Sequence, residues 1–219
     1  MSASRAAIEA LFRIESPRLL GGLVRMVRDV ALAEDLAQSA LVAALERWPV
    51  DGVPDNPGAW LMTTARNRGI DHLRRERRVQ GAPDDELPAS AIDVDARLDD
   101  RVADDPLRLI LVACHPVLAR EARAALTLRL VGGLTTDEIA RAFLASEPTI
   151  AQRIVRAKRT LSEARVPFEV PRGAELTERI GSVLEVVYLV FNEGYAATQG
   201  DDWARPALCQ EAMRLGRVV

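Results

Sequence analysis

A chain of 219 residues is long enough for one large domain or two small ones, and 48% hydrophobic residues supply material for packed cores. Aromatics make up only 4% while Ala, Leu and Arg dominate, which favours helices over sheets. The net charge of -3 conceals two basic clusters separated by an acidic one, and nucleic-acid binding is judged by that distribution. Cys114 and Cys209 lie far apart, and no pair spacing suggests a disulfide framework or a metal site. The start, MSASRAAIEALF, lacks the apolar core of a signal peptide, and no uncharged apolar run of about 18 residues is present. The expected compartment is the cytoplasm, with no membrane partner.

Residues 6–30 read as helical, with Ile8, Leu11 and Phe12 on one apolar stripe and Leu19, Leu20, Leu23, Val24 and Val27 on another. Pro17 between them is expected to kink or split this helix. A second helix is predicted from about Ala33 to Trp48, leaving Asp35, Gln38 and Glu46 outside. Residues 49–57 hold three prolines, a glycine and two aspartates, and read as a loop. A third helix is predicted from Pro57 or Gly58 to Arg77.

That third helix is the first basic cluster. Arg66, Arg68, Arg74, Arg75, Arg77 and Arg78 face only Asp71 and Glu76 in opposition. Such charge can hold a phosphate backbone, and Trp60, Thr63, Thr64 and Asn67 on the preceding turns can engage unstacked bases. Trp60 also fits a core position, as a large ring usually buries.

Residues 81–105 carry nine acidic side chains against Arg97 and Arg101, with breaks at Pro83 and Pro88. A segment that repels itself and buries little reads as a linker, and the charge map carries the expectation that it folds across the basic faces and weakens binding to bare DNA. Helices are expected to resume at Pro106, one ending near Pro116 and the next running from Arg120 to Val131.

The sharpest local pattern spans Leu134–Leu161. Thr135-Thr136-Asp137-Glu138 fits a capping box before a short helix carrying Ile139, Ala140 and Phe143. Leu144-Ala145-Ser146 makes a tight connection, with Ser146 able to cap the next helix and Pro148 in its first turn. Ile150, Ile154, Ala157 and Leu161 form the packing stripe of that helix. Thr149, Gln152, Arg153, Arg156 and Thr160 fall on another face, flanked by Lys158 and Arg159. This is the layout of a recognition helix in the major groove. Gln152 and Arg153 are the candidate base readers; Arg156, Lys158 and Arg159 are the candidate phosphate contacts. Beyond breaks at Pro167 and Pro171, residues 174–192 read as a further apolar helix.

The order of these parts resembles the extracytoplasmic-function (ECF) group of sigma factors over about residues 5–165. Ala33-Glu34-Asp35-Leu36-Ala37-Gln38 resembles the polymerase-binding helix of sigma region two. Trp60-Leu61, Ala65-Arg66-Asn67, Asp71 and Arg74-Arg75 resemble its promoter-melting and minus-ten helix. Gly133-Leu134-Thr135, Glu138-Ile139-Ala140, Thr149-Ile150-Ala151-Gln152-Arg153 and Arg156-Ala157-Lys158 resemble region four. Tyr188 to Tyr195 resembles a motif of the subgroup with a C-terminal tetratricopeptide-type extension.

The resemblance implies an all-α protein: region two over 1–80, an acidic linker over 81–105, the region-four helix-turn-helix over 106–166, and the start of a helical extension over 167–219. It implies no cofactor and two partners, core RNA polymerase and promoter DNA. Asp35 and Gln38 would meet the β′ clamp helices, and region four would meet the β flap and the upstream element. The extension would regulate activity within the chain.

Two other function classes are weighed against this. A conventional helix-turn-helix regulator accounts for residues 106–165 but not for the basic helix at 58–78. An enzyme has little support, because His72 and His115 stand outside any metal spacing and Cys114-His115 adjacency alone is not a nucleophile signature.

Overall fold

The computed structural model describes residues 4–79, 98–195 and 206–217, and α-helix is the regular structure throughout them. The chain divides into two compact units, one ending at Asp105 and the other starting at Pro106.

The first unit packs three helices against one another: α1 (Arg5–Val27), α2 (Val30–Asp51) and α3 (Pro57–Val79). Each start is capped. Ser4 accepts from the Ala7 N–H, Asp29 from Leu32 and Asn56 from Ala59. α1 runs unbroken through Pro17, so of the expected kink or split the split does not occur. The proline ring is buried, so its packing offsets the one backbone hydrogen bond it removes. The core collects Ile8, Leu19, Leu20, Leu23, Val24, Leu36, Ala40, Ala44, Trp48, Leu61 and Ala65. α3 approaches its neighbours closely at Gly69, where a Cβ would meet the Met26 Cε at 2.5 Å and the Leu36 Cδ1 at 3.1 Å. Small Ala and Gly positions thus set the close spacing of the three helices.

The next helix, α4 (Leu98–Ala113), begins eight residues before the Pro106 start expected from sequence, inside the segment predicted as linker. Residues 80–97, the rest of that segment, lie outside the described residues. Asp105 is fully buried, and its carboxylate lies 3.5 Å from the Arg25 guanidinium of α1. The same close fit leaves 2.7 Å between the Asp105 Cβ and a Cβ built on Gly21.

In the second unit, α5 (Arg120–Leu130) is central. It packs against α6 (Thr136–Ala142) and α7 (Glu147–Glu163) and also against α8 (Ala174–Tyr195). Ala124 to Leu128 are consecutively buried, as expected of a helix covered on all sides. α8 in turn packs against α9 (Pro206–Gly216), and Val183, Val186 and Val190 form its buried stripe. Polar links reinforce this arrangement. Arg123 meets Glu185 at 3.2 Å, and the Arg179 Nη1 donates to the Leu111 carbonyl at 3.4 Å. Arg214 donates to the Val131 carbonyl just past the end of α5.

Candidate nucleic-acid interfaces

The capping box predicted for α6 is present on both sides: the Glu138 N–H donates to the Thr135 Oγ1 at 3.2 Å, and the Thr135 N–H to the Glu138 Oε2 at 2.7 Å. Such a cap contributes about 1 kcal/mol to holding a seven-residue helix that could not persist alone. α6 ends in a Schellman motif. The Ala145 N–H reaches the Ala140 carbonyl at 2.9 Å, and Leu144 takes a left-handed φ of 49°. Ser146 then caps α7 by accepting from the Thr149 N–H, so the two helices are set by residues within a few positions of the turn.

Leu144 stands where glycine is the usual residue, and it is 53% exposed, so little burial rewards the strained backbone. Leu144→Gly is expected to stabilise the second unit by about 0.5 to 1 kcal/mol, since relief of left-handed strain exceeds glycine's entropic cost. Thermal unfolding of the two proteins checks this, and an unchanged or lower melting temperature contradicts it.

α7 buries Ile150, Ile154, Ala157 and Leu161 as the sequence pattern predicts. The opposite face carries two neighbouring rows at i, i+4 spacing: Pro148, Gln152 and Arg156, and beside them Ala151, Val155 and Arg159. Gln152, Val155, Arg156 and Arg159 are exposed; Arg153 and Lys158 sit half-buried on its flanks. Thr149 is exposed, but its hydroxyl lies 2.7 Å from the Ser146 Oγ as part of the cap. Thr160 donates its hydroxyl back to the Arg156 carbonyl at 3.0 Å, so it belongs to the helix more than to the face. Arg159 pairs with Glu163 at 2.7 Å, a hydrogen bond that raises the guanidinium pKa further. The sequence pattern missed Val155. It falls off the packing stripe, three positions after Gln152, and its 63% exposure puts an apolar group in a polar face.

On α3, Leu61, Ala65 and Gly69 face the core, so Thr63, Asn67 and Arg74 fall on the outer face. Those three are exposed, as is Arg75, while Thr64 and Arg66 are half-buried. Trp60 is half-buried: its ring packs edge-on against the buried Trp48 at 5.3 Å between centroids and 65° between planes. One side of the indole is thereby fixed by α2 while the rest remains accessible. Arg68 is engaged elsewhere, its Nη1 donating to the Ser39 carbonyl of α2 at 2.5 Å. On α2 itself, Asp35, Gln38 and Val42 line up exposed along one face.

Of the groups weighed for an enzyme, Cys114 is buried, His115 is half-buried and His72 is exposed on α3. Burial pushes the Cys114 thiol up to about 12, and its Sγ lies 3.2 Å from the Thr127 Oγ1. Burial, then the Arg179 charge, pushes the His115 imidazole down to about 4, and its Nδ1 accepts from the Val117 N–H at 3.0 Å. Among the described residues no cluster of His, Cys, Asp or Glu could hold a metal ion, and no helix is long and apolar enough to cross a membrane.

The two units and their polar helices correspond to known families. Sigma-70 region 2 matches residues 11–79, Sigma-70, region 4 matches residues 108–161, and a family of unknown function matches residues 179–219. CarQ, an RNA polymerase sigma factor of Myxococcus xanthus, is 36% identical over 143 residues, covering 61% of this chain and 74% of CarQ. SigL, an ECF RNA polymerase sigma factor of Mycobacterium tuberculosis (strain ATCC 25618 / H37Rv), is 32% identical over 166 residues, covering 73% of this chain and 89% of SigL. An uncharacterized protein of Rhizobium meliloti (strain 1021) is 43% identical over 208 residues, covering 93% of this chain. The chain belongs to the ECF family of RNA polymerase sigma factors. It spans 49% of the length of the Rhizobium protein, about half.

Proposed function

We propose that this chain directs core RNA polymerase to specific promoters, acting as a non-catalytic initiation factor in the cytoplasm while the polymerase performs the chemistry. The observation that carries this is the presence of two separate polar helices in one chain. α7 stands behind a capped turn, and α3 stands beside an anchored tryptophan. A conventional helix-turn-helix regulator has use for the first and none for the second.

In this reading the first unit engages the β′ clamp helices through Asp35 and Gln38. Both sit exposed on one face of α2, free of the core that α2 makes with α1 and α3. Trp60, Thr63, Thr64, Arg66, Asn67, Arg74 and Arg75 receive the minus-ten element. Exposed Thr63 and Asn67 follow Trp60 along α3 at i+3 and i+7, a row on which an unstacked base can be held, and Arg74 and Arg75 hold the phosphates that follow. The second unit reads the upstream element through Thr149, Gln152, Arg153, Arg156, Lys158 and Arg159, and docks on the β flap. α8 and α9 regulate that unit from within the chain. The Arg123–Glu185 pair and the bond from Arg214 to the Val131 carbonyl tie them to both ends of α5.

Asp35→Ala combined with Gln38→Ala tests the polymerase contact. Affinity for core polymerase is expected to fall roughly tenfold or more, as for loss of central interface contacts, with unchanged thermal unfolding of the free protein. Unchanged affinity in a titration of labelled protein with core enzyme would place the clamp contact elsewhere.

A further inference from the structure

Val155 is the residue of α7 that the sequence pattern did not assign, and its setting is unusual. It is 63% exposed in the middle of a helix whose other exposed side chains are mostly polar or charged. With Ala151 one turn before it, Val155 forms a short apolar row directly beside the row of Gln152 and Arg156. Packing within the protein does not account for it, because the buried stripe of Ile150, Ile154, Ala157 and Leu161 lies on the opposite side. Helix formation does not account for it either, since a β-branched residue is a poorer helix former than the arginines around it.

The major groove offers one apolar feature, the 5-methyl group of thymine. A valine reaches only a short distance from its backbone, so it can touch that methyl only where the helix lies deep among the base edges. Its neighbour Gln152 has the amide needed to bond adenine in that same setting. We infer that Val155 is a specificity-determining residue, reading a thymine methyl in the upstream element next to the base contacted by Gln152. This rests on the sigma-factor reading above.

The test uses the full chain with core polymerase and a promoter recovered from a random library by run-off transcription. Each thymine of the upstream element is replaced in turn by uracil, which removes the methyl and keeps every hydrogen-bonding group. With the wild-type chain, one such replacement is expected to lower open-complex formation roughly fourfold, the worth of one buried methyl group. With Val155→Ala the same replacement is expected to have little effect, while replacements at other positions act as before. Circular dichroism and thermal unfolding confirm that the variant keeps its fold. Sensitivity at no position, or sensitivity that persists unchanged in Val155→Ala, overturns the inference while leaving promoter-directed transcription intact. Absence of any chain-dependent transcript overturns the sigma-factor reading, and this inference with it.

Discussion

Replacing both Gln152 and Arg156 by alanine is expected to lower transcription from this chain's own promoters by roughly two orders of magnitude, as Gln152 loses a base-edge contact worth about 1 to 3 kcal/mol and Arg156 loses a phosphate contact besides. Both side chains are exposed and lie one turn apart in the same row of α7. Neither contributes to the stripe of Ile150, Ile154, Ala157 and Leu161 that holds α7 to its unit. Alanine is also the best helix former, so thermal stability should stay within about 0.5 kcal/mol of wild type. The two single variants should differ in kind. Arg156→Ala, losing a phosphate contact, should weaken binding to all upstream sequences alike and reduce the salt slope by about 1, whereas Gln152→Ala should relax preference at one base pair. Loss of transcription accompanied by loss of the folded unit would contradict this assignment.

Trp48→Ala is expected to cost the first unit about 4 kcal/mol, the usual range for truncating a buried tryptophan. Trp48 is 1% exposed at the C-terminal end of α2 and is the largest fully buried side chain described. Among the described residues its indole N–H has no hydrogen-bond partner, so the stabilisation comes from apolar burial and from the edge-on contact with Trp60. The substitution removes the support of the Trp60 ring along with the core volume. Promoter melting should therefore suffer even at temperatures where the unit stays folded. Denaturant unfolding measures the first effect, and permanganate reactivity of unpaired thymines at the minus-ten element measures the second. Trp48→Phe, which keeps an aromatic edge and removes the unpartnered donor, should recover most of both. Full stability in Trp48→Ala would show that the core lies elsewhere.

How much of this was readable in advance depended on how local the determining interactions are. The cap at Thr135 and Glu138, the cap at Ser146 and the packing stripe of α7 all follow from residues a few positions apart, and the structure places them as predicted. Pro17 misled because its local cost is outweighed by burial of its ring, a tertiary effect. The acidic run reads as a linker by charge repulsion alone, yet α4 begins within it at Leu98, and Asp105 at its end is met by Arg25, a partner distant in sequence. α5 is placed from sequence nearly to its observed bounds, but its burial on successive residues comes from α6, α7 and α8 packing around it, which no local pattern shows. On the polar faces, residue type suggested function more readily than position did. Arg68 and Thr160 are polar residues already engaged within the protein, and Val155 is an apolar one left outside. Only the hydrogen-bond partners and exposures separate these cases.

The central claim is tested most directly by run-off transcription on a random promoter library, using core RNA polymerase with and without this chain. The account predicts transcripts that appear only with the chain and share two conserved elements at a fixed spacing. It further predicts that Gln152→Ala alters the upstream element alone and that substitutions at Thr63 and Asn67 alter the downstream one alone. Chain-dependent DNA binding without chain-dependent transcripts, even with core polymerase bound, would contradict it.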